Sequence, residues 1–149
     1  MINIDEVIQM WEVDSKIDKM NLDDSSIKSA ALHSKYLQFY SATKMMLKQS
    51  EMKMVELRKN KWLWFNGKMS KQQMDELGWK YDPFDGMVKP LKSDLEIFYD
   101  SDSDIMKLKA KLDYLTTALE VLKEIIDTIK WRHTHIKNAI DFLRFTAGG

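Results

Sequence analysis

Apolar positions along this chain recur with helical rather than strand period. Ile4, Val7, Ile8 and Trp11 sit at i, i+3, i+4 and i+7, one face of a short amphipathic helix. Asp5 and Glu6 fall in its first turn, where the helix dipole favours acids. Residues 21–26 read as a loop, with Ser25 or Ser26 capping the next helix. Residues 27–65 contain no Gly and no Pro, which predicts one helix on the order of 60 Å long. Its apparent stripe is small: Ala30, Ser34, Leu37 and Ser41, flanked by Tyr36, Phe39 and Tyr40 and followed by Met45, Met46, Leu47, Met52 and Met54. Small residues let helices approach closely and Met fills irregular gaps, so core packing is the expected role.

Residues 66–104 hold both prolines and a series of breaks. Ser70 to Gln73 form a capping box, and Gly78 ends the short helix that the box begins. YDPFDG at 81–86 is a turn. Residues 91–99 fit either a strand or a helix. The last segment has the clearest pattern. Leu108, Leu112, Leu115, Leu119, Leu122, Ile126, Ile129, His133, Ile136, Ile140 and Leu143 alternate in steps of four and three, a coiled-coil seam. Acid–base pairs such as Glu120–Lys123 and Asp127–Lys130 support that helix by a few tenths of a kcal/mol each. The seam asks for a partner helix, either this chain's own or another copy's.

The pattern predicts an all-α fold: two long helices plus short ones, with coiled-coil-like packing, in a single domain over 1–149. Composition agrees. Charged residues at 31% and apolar ones at 44% allow a modest core, and low Gly and Pro counts (5 and 2) disfavour a turn-rich β fold. Cys is absent, so there is no disulfide framework, as suits a reducing cytosol. The acidic N-terminus does not resemble a signal peptide, and no stretch approaches the roughly 20 apolar residues of a membrane span.

Net charge is zero, yet charge is sorted along the chain. Residues 1–24, an acidic N-terminal helix, carry two Lys against seven acids, net −5. Residues 25–65, a long basic helix, carry eight Lys/Arg against two acids, net +6. Residues 66–104, an acidic connector, have five Lys and nine acids, net −4. Residues 105–149, the heptad helix and tail, have eight Lys/Arg and five acids, net +3. A basic stripe can serve a polyanion even on a neutral chain.

Several chemistries find no support. DSDSD at 100–104 imitates a calcium loop, but Met106 and Lys111 stand where that loop needs Gly and Glu, so a helix cap is the better reading. His133 and His135 are two apart and face different ways on a helix; His133, at a seam position, reads as a hydrogen-bonded core residue. No P-loop, dinucleotide fingerprint or nucleophile motif is present. The expectation is a binding protein, not an enzyme, with no catalytic residue, metal or cofactor.

The stretch ELRKNKWLWFNGK at 56–68 concentrates what binding chemistry there is. Arg58 and Trp62 are i, i+4, as are Lys61 and Phe65, so cations and rings share rows. Single-stranded nucleic acid calls for that pairing: cations neutralise phosphates, and rings stack on unpaired bases at about 1–3 kcal/mol per base. Lys44, Lys48, Lys53 and Lys68 extend the track, and Asn60 adds a hydrogen-bonding group. A second reading is equally compatible: basic residues suit a helix C-terminus, and Trp62, Trp64 and Phe65 are core or an oligomer interface. That alternative is a coiled-coil protein–protein adaptor without DNA binding.

HSKYLQFYSATKMMLKQSEMKMVELRKNKWLWFNGK at 33–68 and IKWRHTHIKNAIDFLRFTAGG at 129–149 resemble the UvsY-type recombination mediator proteins of T4-like phages. MINIDEVIQMWEVDSKID and YDPFDG are similar to members from phages of marine cyanobacteria. The resemblance implies a ring-like homo-oligomer in the cytoplasm of an infected bacterial host. It implies single-stranded DNA binding, and loading of a phage RecA-like recombinase onto strands coated by the phage single-strand-binding protein. The family's Leu-Lys-Ala-Arg DNA-contact stretch corresponds to Leu57-Arg58-Lys59-Asn60-Lys61. Arg replaces the first Lys, Lys59 replaces Ala, and the second cation shifts from Asn60 to Lys61. Expected DNA contacts are therefore Arg58 and Lys61, then Lys59, Lys53, Lys48, Trp62 and Lys68. The C-terminal block is associated with oligomerisation, which assigns Leu115, Leu119, Leu122, Ile126, Ile129, Ile136, Ile140 and Leu143 to self-assembly.

Overall fold

The computed structural model describes residues 2–148. Five α-helices succeed one another: α1 (Ile4–Asp14), α2 (Leu22–Phe65), α3 (Lys71–Leu77), α4 (Leu95–Ser101, entered through a 3-10 turn at Lys92–Asp94) and α5 (Ser103–Thr146). The described residues contain no strand. Residues 91–99, open between strand and helix from sequence, are therefore a 3-10 turn and most of α4. The chain packs as two compact units, residues 1–47 with 114–149 and residues 48–113; α2 and α5 each contribute a stretch to both.

The start of α2 lies earlier than the Ser25/Ser26 cap expected from sequence. The Asp18 carboxylate accepts from Met20 N (2.9 Å) and Asn21 Nδ2 (2.9 Å), closing a turn just before Leu22. Asp23 and Asp24 then sit in the first helical turn, with the dipole in their favour. Ser25 is already helical, and its Oγ accepts from Asp18 N at 3.1 Å.

In the first unit Val7, Tyr36, Leu122, Ile125, Ile126 and Ile129 form the core, with Trp11, Leu32, Phe39 and Tyr40 against it. Trp11 meets Tyr36 edge-on at 5.4 Å. The buried face of α5 keeps the predicted seam at Leu115, Leu122, Ile126, Ile129 and Ile136 and adds Ala118, Ile125 and Arg132, each one position round from a seam residue. In this unit α5 meets both α1 and α2, so its buried face is wider than a two-helix seam. His133 is consequently exposed, its Nδ1 2.7 Å from Lys130 O, and not a core residue. Arg132 is 4% exposed and donates to Asp14 O, Ser15 O and Lys16 O (3.4, 3.1 and 3.2 Å). It supplies α1 with the C-terminal cation that the helix's own last turn lacks.

The expected stripe Ala30, Ser34, Leu37, Ser41 is exposed. A covered row of α2 runs instead through Ser25, Ser29, Leu32, Tyr36, Phe39, Thr43, Leu47, Ser50, Met54, Leu57, Lys61 and Trp64, in steps of three and four. Hydroxyls can occupy such a row because a helical Ser bonds back to its own backbone, as Ser29 Oγ does to Ser25 O at 3.2 Å.

In the second unit Phe65, Phe84, Leu95, Tyr99 and Ile105 form an aromatic-rich core, with Met54, Leu57, Trp64 and Phe98 packed on it. The connector is organised by caps. The Ser70–Gln73 box is formed in both directions (3.2 and 3.4 Å), and Gly78 closes α3 at φ 71°. Asp82 accepts from Phe84 N (2.9 Å) and Gly86 N (2.6 Å), folding the YDPFDG turn. In DSDSD the cap is Asp102, whose Oδ1 accepts from Asp104 N and Ile105 N at 3.0 and 3.1 Å.

Candidate nucleic-acid interface

The C-terminal part of α2 carries the candidate site. Gly67, at φ 66°, ends the helix; Lys68 N reaches Leu63 O at 2.8 Å and Gly67 N reaches Trp64 O at 3.2 Å. The rest of the ELRKNKWLWFNGK stretch is divided by the core.

Phe65 is 4% exposed, stacks between Trp64 and Phe84 (5.4 and 5.7 Å) and meets Tyr99 edge-on at 5.2 Å. Trp64 donates its indole N–H to Lys80 O at 2.7 Å and lies 5.2 Å from Trp79. Both rings are packing. Trp62 alone of the three faces outward, 42% exposed, with Lys68 Nζ 4.7 Å from the centre of its ring.

Lys61 is not where a phosphate contact requires it. Its side chain is 2% exposed, and Nζ sits 2.9 Å from Asp102 Oδ2 and 2.8 Å from Asp104 Oδ2. The indoles of Trp79 and Trp64 flank the ammonium at 3.8 and 4.6 Å. The hydrogen bond from Lys61, against some opposing burial, holds the Asp104 carboxyl below its ordinary value. Two carboxylates and two ring faces thus match this charge inside the unit. The spacing that put Lys61 and Phe65 in one row was correct, but the row faces inward.

The outward cations are Arg58, Lys59, Lys48, Lys53 and Lys68. Lys48, Lys53 and Lys59 make no ion pair among the described residues. Lys48, Met52, Val55, Lys59 and Trp62 run in steps of four and three along one exposed face, so that cations alternate with apolar groups. Lys53 lies about 140° round the helix from Lys48, off that row. Beside the row is a groove of about 380 Å³ lined by Arg58, Lys59, Trp62, Lys92, Leu95, Glu96 and Tyr99. Arg58 packs its guanidinium 4.7 Å from the centre of the Tyr99 ring and reaches Glu96 Oε2 at 3.4 Å. Burial raises the Tyr99 hydroxyl above its usual range. Sequence reasoning missed Lys92, Glu96 and Tyr99, which reach Arg58 only through folding of the connector.

The residues assigned to self-assembly divide similarly. Leu115, Leu122, Ile126, Ile129 and Ile136 are buried within the chain, where α5 packs on α1 and α2, and offer no surface to another copy. Leu119 and Ile140 are half-buried, and Leu143 is exposed. Phe142 and Phe145, also exposed, flank Leu143 at the end of α5. An apolar pocket of about 130 Å³ lies there, lined by Lys19, Leu22, Ala139, Phe142 and Leu143. Among the described residues no His, Asp and Glu cluster is arranged to hold a metal ion, and no helix is long and apolar enough to cross a membrane.

Residues 10–149 match the family model described as "Recombination, repair and ssDNA binding protein UvsY". The chain belongs to the UvsY family. Crystal structures of the recombination mediator protein UvsY of bacteriophage T4 share the fold. The Lattice Type II structure superposes with a TM-score of 0.83 at 21% identity, covering 99% of both chains. The Lattice Type IV structure gives 0.82 at 19% identity, covering 97% of this chain and 99% of that one. No curated protein matches the chain by sequence. This is an all-α member of the UvsY family of recombination mediators.

Proposed function

We propose that this UvsY-family mediator binds single-stranded DNA along the outer face of α2 in the second unit and in the groove beside it. Arg58, Lys59 and Lys92 contact phosphates, Lys48 and Lys68 add charge along the strand, Trp62 stacks on a base, and Lys53, off that row, adds only to the general positive field. The observation that carries the reading is the groove itself, with cations and an exposed indole brought together on α2. Lys61 holds this surface in place instead of touching the strand. Copies assemble into a ring-like homo-oligomer through the end of α5, around Phe142, Leu143 and Phe145. Avidity among copies then lets modest sites hold a long strand. In the host cytoplasm the assembly loads a RecA-like recombinase onto strands coated by the single-strand-binding protein. This role is one of binding and exchange and uses no cofactor.

The test is fluorescence anisotropy with labelled oligo-dT across a salt series. Log affinity should fall linearly with log salt, by about 0.7 per phosphate neutralised. Arg58→Ala with Lys59→Ala should weaken binding and flatten that slope, while light scattering reports an unchanged mass. No binding at low salt would remove the DNA reading in favour of a protein-binding adaptor.

A further inference from the structure

Glu96 is the only carboxylate lining the groove among the described residues, and it faces the cation on which the DNA reading rests most heavily. Its Oε2 lies 3.4 Å from Arg58 Nη2, and both side chains are open to solvent, 69% and 42% exposed. The pairing is therefore displaceable: long, exposed ion pairs are weak and give way to a better ligand. The inward cation is treated differently, because Lys61 is enclosed by its carboxylates at 2.9 and 2.8 Å and cannot exchange them for a ligand without opening the unit. Arg58 is also held from the side by the Tyr99 ring at 4.7 Å, so its guanidinium stays placed when Glu96 leaves.

We infer that Glu96 is an internal competitor for the nucleic-acid phosphate at Arg58. It occupies the guanidinium in the free protein, must be displaced when a strand enters, and returns when the strand leaves. The inference rests on the DNA reading above and adds an affinity-setting residue to it. A carboxylate on a phosphate-binding guanidinium weakens binding chiefly by competing for the same donor. A protein that must let go of the strand it has captured gains from such a residue, because it shortens residence without removing the site.

The experiment measures oligo-dT anisotropy over a salt series for the full chain and its variants. Glu96→Gln keeps the side-chain shape and removes the charge; it should bind about three- to tenfold more tightly than the unaltered protein and dissociate more slowly in stopped flow. Arg58→Ala with Glu96→Gln should bind no more tightly than Arg58→Ala alone, because the competition needs the guanidinium. Asp100→Asn is the control for bulk charge: Asp100 is exposed in the same unit and does not line the groove. It should change affinity less than twofold. The inference is overturned if Glu96→Gln binds no more tightly, if Asp100→Asn matches its gain, or if the gain persists without Arg58. Failure of the unaltered protein and Glu96→Gln alike to bind at low salt overturns both this inference and the DNA reading. Binding by the unaltered protein with no gain in Glu96→Gln overturns this inference alone.

Discussion

Among the described residues each of the two units buries one cation in a helix seam, and the two are held in opposite ways. In the first unit Arg132 spreads its guanidinium over three backbone carbonyls amid an aliphatic core. In the second, Lys61 holds two carboxylates between two indoles, beside a core made largely of rings. The difference comes from the side chains. A planar fork can cap several diverging carbonyls, whereas an ammonium is a point charge best met by anions and ring faces. Of the three aromatics next to the basic cluster in sequence, Trp64 thus helps to hold one of its cations, Phe65 is core and Trp62 faces outward.

Variants should separate the units most strongly at their cores. Phe65→Ala is expected to cost about 3–5 kcal/mol in urea unfolding and Leu122→Ala about 3 kcal/mol. Phe65→Ala should also collapse the near-ultraviolet signal of Trp64 and Trp79, which Leu122→Ala spares; equal loss in both would erase the distinction between the cores.

Next come the cations. Lys61→Ala leaves half-buried Asp102 without its counter-charge and should cost about 3 kcal/mol. Arg132→Ala loses hydrogen bonds to neutral carbonyls and should cost about 2 kcal/mol. A reversed order in denaturant titrations would show that the aromatic and anionic cage contributes little.

Acid should have a smaller effect. Burial opposes ionisation of Asp14, but hydrogen bonds from Lys35 and Tyr36 outweigh it, so its carboxyl stays below the ordinary value of 3.8. Asp104 is likewise lowered. A depressed carboxylate contributes stability that is complete above pH 3.8 and lost as pH falls through its folded value. Asp14→Asn should therefore be less stable than the unaltered protein at pH 7, with the gap closing below pH 3.8 in thermal melts. A gap that stays constant with pH would mean that the carboxylate's charge is irrelevant. The smallest effect on folding is expected at Trp62. Trp62→Ala should shift unfolding by under about 0.5 kcal/mol, yet weaken oligo-dT binding about tenfold, through a lost base stack. A large folding effect would make that ring core as well.

Most of the helix content was legible from sequence because Gly and Pro are confined and the caps are strong; the Ser70–Gln73 box, the YDPFDG turn and the DSDSD cap lie where the pattern puts them, whereas 91–99, with no such signal, stayed open between strand and helix. The buried rows were less legible. On α5, Ala118, Ile125 and Arg132 are buried because the helix meets two partners, and a two-helix heptad rule does not anticipate that. On α2 the row carries Ser25, Thr43, Ser50 and Lys61, so hydropathy points to the wrong face. The site was half-legible for the same reason. Residues local to α2 could be named, but which of Lys61 and Lys59 faces outward depends on Asp102 and Trp79, and the groove depends on Lys92, Glu96 and Tyr99.

The Arg132 clamp also has a temporal consequence. Its carbonyl partners at Asp14, Ser15 and Lys16 lie 118, 117 and 116 residues upstream, and Tyr114 Oη accepts from Ile4 N across 110. During translation at about 5–20 residues per second, α1 therefore waits on the order of 6–24 s before its docking site on α5 has been synthesised. Until then α1 has only α2 to pack on, through contacts such as Trp11 on Tyr36, and its core stays open on the α5 side.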